Sequence, residues 1–281
     1  MSPTPMNFVY SRRYTGPLQA VILDWAGTTV DHGCLAPAGA FMEAFRRSGV
    51  SITLEQARAP MGMAKWHHIQ AITRMAPVTD AWTEVHGAAP ADADVDRLYD
   101  TFLPLQVEVV ERHSNLIPGA AETVAAMRAR GLKIGSTTGY PRPVMDVVQR
   151  VAAAQGYQPD ITVCAGETPA GRPGPAMALR CVVELSVSPV EACVKIGDTV
   201  VDVEEGLNAG MWTIAVADTG NEVGLPLADW QALAPGRRDA LHAAASDRLA
   251  RAGAHYVVRS LAEAMPLLDA IEARLARGEK P

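Results

Sequence analysis

The chain has 281 residues, 48% of them hydrophobic and 20% charged, a composition typical of globular proteins and unlike that of disordered ones. A formal net charge of -6 argues against general affinity for nucleic acid or anionic membranes, so we expect a small-molecule partner. The four cysteines form no C-x-x-C pair, and no apolar run approaches the roughly 18 residues of a membrane span. We therefore expect no zinc knuckle, no membrane anchor and a cytoplasmic location.

Short apolar runs alternate with helical patterns over most of the chain. The predicted strands are 18–23, 133–138, 161–165, 194–197, 212–217 and 255–258. The predicted helices between them are 120–130, 143–155, 175–185, 200–209 and 261–277, and residues 232–251 are expected to form a solvated helix or loop. This alternation predicts a Rossmann-like α/β fold with a parallel sheet covered on both faces.

Residues 37–114 interrupt that alternation, because they contain long helical stretches at 54–75 and 93–112 and no convincing strand. The insertion begins just after the first strand's loop. It should therefore lie over the carboxyl ends of the strands, where open α/β sheets bind ligands. We predict a core of residues 1–33 and 115–281 and an all-helical cap of residues 34–114 that acts as a lid.

Carboxylates stand at the ends of two predicted strands. Asp24 ends the first strand beside a turn that Gly27 permits, and Asp198 and Asp202 follow the 194–197 strand, one helical turn apart. Three converging acids would repel unless a cation joined them, and an oxygen-rich cluster suits Mg²⁺. The sequence therefore predicts a Mg²⁺ site.

Two further residues suit a phosphoryl group. Thr138 ends the second strand and offers a hydroxyl, and Arg172 offers a fixed charge in a Gly-Arg-Pro loop. Each residue has an ordinary explanation too, since a strand-end Asp is often a helix N-cap and a loop Arg is often solvated. Four such residues at successive strand ends make coincidence the weaker explanation.

These motifs resemble those of the haloacid dehalogenase superfamily: an Asp-x-x-Gly-Thr first strand, a Thr-ended second strand, a basic residue and Gly-Asp-x-x-x-Asp. The resemblance implies that Asp24 is a nucleophile and that the metal ligands are Asp24, the carbonyl of Ala26 and Asp198. It also implies supporting roles for Asp202 and Thr28.

Ala26 departs from the pattern of the superfamily's phosphatases, which usually carry a second Asp at that position as general acid to a leaving oxygen. Loss of such an acid lowers a rate by about 10²–10⁴. Either the chain is a crippled catalyst or its leaving group is not an oxygen.

Lys65 favours the second explanation. Lysine occurs at only four positions, and Lys65 lies among apolar residues and imidazoles in PMGMAKWHH. A desolvated lysine has a lowered pKa and forms an imine with an aldehyde, which arginine cannot do. The iminium would accept the electrons of a breaking P–C bond. The plain alternative is a solvated surface amine.

The segments DWAGTTVDHG, PMGMAKWHH, IGSTTGY, AGRP and GDTVVD, in that order, resemble the phosphonoacetaldehyde hydrolases of this superfamily. The resemblance implies hydrolysis of phosphonoacetaldehyde to acetaldehyde and phosphate through a Lys65 Schiff base and an Asp24 aspartyl-phosphate. It further implies a homodimer joined through the caps. Residues expected to bind substrate or line the site are Thr138, Arg172, Met61, Gly62, Tyr140 and Cys34, with His68 as a catalytic proton shuttle.

Two alternatives stay open at this stage. One is a phosphatase or phosphomutase of the same superfamily that acts on a phosphate ester. The other is a non-catalytic member that binds a phosphorylated ligand or a partner protein, although such a member would be expected to lose the nucleophile or the metal carboxylates.

Overall fold

A computed structural model describes residues 13–281. Its six strands form one parallel sheet in the order β3-β2-β1-β4-β5-β6. Their bounds are β1 Ala20–Leu23, β2 Lys133–Thr138, β3 Ile161–Cys164, β4 Cys193–Gly197, β5 Trp212–Val216 and β6 Tyr256–Val258. The predicted α/β class and the predicted strands are confirmed to within about two residues. The part of the predicted core at residues 1–12 lies outside the described residues.

Twelve α-helices accompany the sheet in the described part of the chain. They are α1 Leu35–Arg47, α2 Leu54–Arg58, α3 Lys65–Thr73, α4 Ala76–His86, α5 Asp92–Val110, α6 Ala120–Ala129, α7 Arg142–Ala154, α8 Ala176–Glu184, α9 Val200–Ala209, α10 Leu227–Ala232, α11 Pro235–Arg251 and α12 Met265–Ala276. Residues 232–251, predicted to form a solvated helix or loop, are mostly the helix α11. None of the described helices combines the length and apolar character needed to cross a bilayer.

The sheet is apolar on both faces because helices cover both. Val21 and Leu23 of β1 pack into one cluster with α6, α7 and α12, whereas Ala20 and Ile22 pack into a second with α8. Successive strand residues point to opposite faces, so a strand buried on both sides reads as a continuous apolar run. This explains why β1 carries no alternating pattern.

The register of the sheet brings the predicted chemical residues to one edge. Leu23 pairs with Ser136 of β2 and with Ile196 of β4, so the next residue, Asp24, lies beside the carboxyl ends of both neighbours. The order of connections reverses between β1 and β4, which is where such sheets bind ligands.

Helices α1 to α5 surround an apolar cluster of their own, and its largest buried members are Phe41, Phe45, Phe102, Ile69, Ile72 and Trp82. We refer to residues 35–110 as the helical segment. The division of the chain into core and cap at residues 33/34 and 114/115 stays a prediction.

The predicted helical stretch over 54–75 is wrong in one respect. It consists of two helices, α2 and α3, separated by turns at residues 59–64. Pro60 has no amide hydrogen to donate, and Gly62 has a φ of +92°, which a continuing right-handed helix does not allow. Consequently Lys65 is the first residue of α3 rather than an interior residue of a long helix.

Candidate active site

The turn after β1 is built around Asp24. The carbonyl of Trp25 accepts hydrogen bonds from the amides of Thr28, Thr29 and Val30, which folds the chain back on itself. Gly27 has a φ of +82°, and a Cβ there would lie 2.3 Å from Oδ2 of Asp198. A glycine at this position is therefore required by both the backbone conformation and the close approach of the carboxylate.

Asp198 and Asp202 are held differently, although both are fully buried. Asp198 accepts hydrogen bonds from the Thr28 hydroxyl at 3.2 Å, the Cys34 thiol at 3.2 Å and the Asn221 amide at 2.8 Å. Asp202 is the third residue of α9, and its Oδ2 accepts a 2.6 Å bond from the Thr199 hydroxyl. Its Oδ1 lies 2.7 Å from Arg172.

Arg172 spreads its guanidinium over several partners beneath the pocket. Nη1 lies 2.6 Å from Oδ1 of Asp24, Nε lies 2.9 Å from Glu205, and Nη2 donates to the carbonyl and hydroxyl of Thr137. Burial alone would lower the pKa of Arg172, but the carboxylates of Asp202, Asp24 and Glu205 outweigh burial and raise it. Arg172 therefore holds the Asp24 carboxylate directly.

Lys195 completes this buried network from the middle of β4. Its ammonium lies 3.0 Å from Asp202 and 3.1 Å from Glu205, and it donates to the Thr137 hydroxyl. Burial and the charge of Arg172 would lower the pKa of Lys195, but Glu205 and Asp202 outweigh them and raise it. Its charge is therefore compensated inside the protein.

The carboxylates outnumber these cations. Among the described residues, Asp24, Asp202 and Glu205 form ion pairs with Arg172 and Lys195, and Asp198 forms none, so these six groups together carry two excess negative charges when all are ionised. Burial and Asp202 raise the pKa of Asp24, and burial and Asp24 raise that of Asp198 well above its ordinary value. A divalent cation would remove this excess.

The three aspartates offer oxygens that all lie within 4.8 Å of one another, as a metal site needs. Asp202 is already paired with Arg172 and Lys195. Burial alone would raise the pKa of this carboxyl, but the two cations outweigh burial and hold the pKa below its usual value. Asp24 and Asp198 are therefore the carboxylates better suited to a cation. The acidic cluster fits a hard, oxygen-seeking ion such as Mg²⁺.

Lys65 shares a small pocket with Asp24 although it comes from the helical segment. The cavity measures about 20 Å³, enough for roughly one water molecule. Its lining is Asp24, Ala26, Cys34, Pro37, Met61, Gly62, Lys65, Thr138, Gly139, Tyr140, Arg172, Asp198 and Thr199. All of the predicted substrate-binding residues are in this set.

The Lys65 amine is almost completely desolvated. The residue is 3% exposed, and Nζ lies 5.0 Å from the Tyr140 ring centroid and 5.5 Å from that of Phe41. Burial lowers the pKa of Lys65 to about 8. Roughly one amine in ten is therefore neutral, and nucleophilic, at pH 7.

His68 lies one turn of α3 beyond Lys65 and is fully buried. Its Nε2 donates a 2.9 Å hydrogen bond to the Ala57 carbonyl, and its ring packs against that of Phe41, with the ring centroids 3.9 Å apart and the ring planes tilted by 31°. Burial, and then the charge of Lys65, lowers the pKa of His68 well below 6.5. The ring is therefore neutral, with a proton on Nε2 and a lone pair on Nδ1.

Thr138 ends β2 as predicted, and its oxygen accepts a 3.1 Å hydrogen bond from the Tyr140 amide. This bond leaves the hydroxyl proton of Thr138 able to be donated into the pocket. Burial raises the pKa of the Cys34 thiol and of the Tyr140 phenol well above their ordinary values. Both groups therefore stay protonated near neutrality and do not act as bases, and the Cys34 thiol donates to Asp198.

Known proteins are similar to this chain in sequence. A family model described as haloacid dehalogenase-like hydrolase matches residues 18–210. The chain is 48% identical over 274 residues to a phosphonoacetaldehyde hydrolase of Nitratidesulfovibrio vulgaris, which covers 98% of each protein. It is 46% identical to one of Hahella chejuensis, which covers 98% of this chain and 94% of that protein. The chain belongs to the phosphonoacetaldehyde hydrolase branch of the haloacid dehalogenase-like hydrolases.

A solved structure supports this assignment to a hydrolase family. The crystal structure of a phosphonoacetaldehyde hydrolase-like protein from Oleispira antarctica superposes with a TM-score of 0.96 at 44% identity. The match covers 98% of this chain and all of that one. The resemblance inferred from the motifs is thus confirmed over nearly the whole length of the chain.

Sequence reasoning missed the lower layer of the site in this hydrolase, namely Lys195, Glu205 and Thr137. A signal was present for Lys195, because a lysine inside an otherwise apolar strand needs a buried partner. Glu205 stands three residues after Asp202 on α9, so both carboxylates project from one helix face. Thr137 carried no such signal, because a threonine in a strand is ordinary.

Proposed function

We propose that this hydrolase cleaves the P–C bond of phosphonoacetaldehyde to give acetaldehyde and inorganic phosphate. The observation that carries the proposal is the Lys65 amine, which is buried in the pocket of Asp24 with a pKa of about 8. An aldehyde and a phosphonate on adjacent carbons would bridge these two nucleophiles.

The proposed domain division gives the reaction its sequence of steps. Residues 34–114 form a cap that carries Lys65, and residues 1–33 and 115–281 form the catalytic core. A cavity of about 20 Å³ is too small for the substrate, so the cap must open for the substrate to bind. Closure then brings the bound substrate to Asp24 and excludes water.

Mg²⁺ is the proposed cofactor, and its proposed ligands are Asp24, the carbonyl of Ala26 and Asp198. The bound ion would supply positive charge beside the phosphoryl oxygens. Asp202 and Thr28 support the site, because Asp202 anchors Arg172 and Thr28 donates to Asp198.

In the proposed first step the neutral Lys65 amine attacks the aldehyde carbon, and loss of water gives an imine. Protonation of the imine nitrogen makes it an acceptor for two electrons. Asp24 then attacks phosphorus in line, forming the aspartyl P–O bond as the P–C bond breaks. The P–C electron pair moves into the iminium and gives an enamine, so no carbanion forms.

The surrounding residues stabilise charge and move protons in this scheme. Thr138 donates to a phosphoryl oxygen, and Arg172 fixes the Asp24 carboxylate while its positive charge faces the phosphoryl group. His68 offers the unprotonated Nδ1, which would take up a proton from water and pass it to the enamine carbon. Hydrolysis of the imine then releases acetaldehyde, and water cleaves the aspartyl phosphate.

Ala26 distinguishes this function from the alternative of an ester phosphatase or phosphomutase. An alkoxide leaving group needs a proton from an acid at this position, whereas an enamine does not. Ala26→Asp is therefore expected to leave phosphonoacetaldehyde cleavage no faster than in the parent. A faster P–C cleavage in this variant would contradict our account of the missing acid.

The proposed chemistry can be tested by trapping the imine. Sodium borohydride with phosphonoacetaldehyde should inactivate the enzyme and add a two-carbon label to Lys65, located by peptide mass spectrometry. Lys65→Arg should abolish both the label and turnover, whereas the exposed Lys133→Arg should retain both. Substantial phosphate release by Lys65→Arg would exclude the covalent step.

A homodimer joined through the caps completes the proposal. Three large apolar side chains of the helical segment are at least one-third exposed, namely Met42, Leu54 and Val85. Burial of these side chains against a second copy would stabilise a dimer. Light scattering should give the mass of a dimer, and Val85→Glu should weaken the dimer if that helix lies in the interface.

A further inference from the structure

Arg58 joins the cap to the core through neutral acceptors. It is the last residue of α2, and its guanidinium donates to the carbonyls of Gly33 at 2.8 Å and Gly224 at 3.0 Å. Its Nη1 also contacts the carbonyl and side-chain oxygens of Asn221 at 3.4 and 3.3 Å. Within residues 13–281 it has no carboxylate partner, so the positions of these oxygens, not an ion pair, fix the guanidinium.

The loop of residues 218–225, which Arg58 contacts at Asn221 and Gly224, also orients Asp198. The backbone amide of Asn221 donates to Oδ2 of Asp198 at 2.8 Å, and the side-chain amide of Asn221 donates to the Arg58 carbonyl at 3.4 Å. A Cβ on Gly220 would lie 2.4 Å from Cβ of Asp198, so the loop lies directly against this residue. Movement of the loop would displace the proposed metal ligand.

The chain segment that crosses from core to cap, residues 31–34, meets the same loop. Gly33 donates its amide to the Thr219 carbonyl at 2.8 Å, and His32 contacts the Leu225 carbonyl at 2.9 Å. Cys34, at the end of this segment, donates its thiol to Oδ2 of Asp198. The crossing segment and the loop therefore both reach one carboxylate oxygen.

Arg58 binds both of these parts at once, through Gly33 and through Gly224. It also lies seven residues before Lys65, and the intervening turn carries Gly62, whose Cβ position would be 2.4 Å from the Thr199 hydroxyl. These contacts require the cap to be closed on the core. We infer that Arg58 is a positioning residue that couples closure of the cap to the orientation of the metal carboxylate Asp198.

This inference rests on the proposed function, and it separates two steps of that function. Imine formation needs only Lys65 and the aldehyde, whereas attack on phosphorus needs Asp198 in its correct orientation. Loss of Arg58 should therefore slow the second step far more than the first. A merely structural role in the cap would affect both steps alike.

Three single variants and one control test the coupling. Arg58→Met removes the hydrogen bonds but keeps an unbranched chain, and Arg58→Lys keeps the charge but has one nitrogen, which cannot reach carbonyls on both sides. Asn221→Ala keeps the backbone amide that Asp198 needs and removes only the side-chain contacts. Arg74→Met is the matched control, because Arg74 is an exposed cap residue at the end of α3.

We expect kcat for phosphonoacetaldehyde to fall at least about tenfold in both Arg58 variants, with KM within about twofold of the parent value. Trapping of Lys65 by borohydride should stay within about twofold, and the Kd for Mn²⁺ measured by electron paramagnetic resonance without substrate should rise about three- to tenfold. Asn221→Ala should show smaller changes of the same kind. The double variant Arg58→Met/Asn221→Ala should lose less than the product of the single losses.

Parent-like kcat and Mn²⁺ affinity in Arg58→Met and Asn221→Ala would overturn the inference, as would trapping that falls in proportion to kcat. If Arg58→Met does not fold, Asn221→Ala still decides the question. Absence of trapping in the parent enzyme would instead refute the proposed function, and the Mn²⁺ measurement would still test Arg58.

Discussion

Replacement of Lys65 by methionine is expected to abolish turnover and, at the same time, to stabilise the fold. Lys65 is 3% exposed and has no carboxylate partner among the described residues, so its charge is poorly compensated. Burial lowers its pKa from an ordinary 10.5 to about 8. At neutral pH the folded protein must therefore hold a proton on an amine that the pocket disfavours.

The size of the effect follows from the pKa. One pKa unit corresponds to about 1.4 kcal/mol, so the charged amine destabilises the folded state by roughly 3 kcal/mol below pH 8. Methionine fills a similar volume without a charge. The lost contacts with the Tyr140 and Phe41 rings offset about 1 kcal/mol of this gain. For a chain of this length, a net 2–3 kcal/mol raises Tm by about 3–5 °C.

The pH dependence has a definite sign. Between pH 8 and 10.5 the unfolded Lys65 binds a proton that the folded one has lost, so the parent gains stability as pH rises. The advantage of Lys65→Met should therefore be full below pH 8 and shrink to roughly 1 kcal/mol by pH 9.5. Urea denaturation followed by circular dichroism at pH 6.5, 8 and 9.5 measures this change.

Lys195→Met provides a control of opposite sign. Lys195 is equally buried, but Asp202 and Glu205 lie 3.0 and 3.1 Å from its ammonium. Removal of one partner of a buried ion pair destabilises a protein by about 3–5 kcal/mol. If Lys65→Met destabilises the enzyme as Lys195→Met does, or if its gain is independent of pH, the assignment of an uncompensated amine to Lys65 is wrong.

Three further predictions concern the reaction. Imine formation needs the neutral amine, so the rate of borohydride trapping should rise about tenfold per pH unit below pH 8 and level off above it; a flat profile would contradict the lowered pKa. Asp198→Asn removes a proposed ligand, so the Mg²⁺ concentration for half-maximal activity should rise more than about 100-fold, and an unchanged requirement would exclude Asp198 from the metal site. Gly62→Ala would place a Cβ 2.4 Å from the Thr199 hydroxyl at a φ of +92°. Its kcat should fall at least about tenfold with near-parental far-ultraviolet circular dichroism, and full activity would show that the cap does not need this close contact.

The pocket residues Asp24, Thr138 and Asp198 could be found from the sequence because each stands at the end of a strand that the hydrophobic pattern reveals. Asp24, Thr138 and Asp198 stand at the ends of β1, β2 and β4, and parallel strands bring their carboxyl ends to one edge. Lys65 was recognisable by its chemistry against an arginine-rich background. The apolar pattern alone does not predict the break between α2 and α3, although Pro60 and Gly62 both disfavour a continuous helix.

The sequence by itself determined which residues are reactive and which predicted strand each of them follows. Only the tertiary structure decided how each charge is compensated. Lys65 and Lys195 are the same amino acid, yet burial lowers the pKa of one and a pair of carboxylates raises that of the other. A pKa depends on desolvation and on charges a few ångströms away, and those neighbours come from distant parts of the chain.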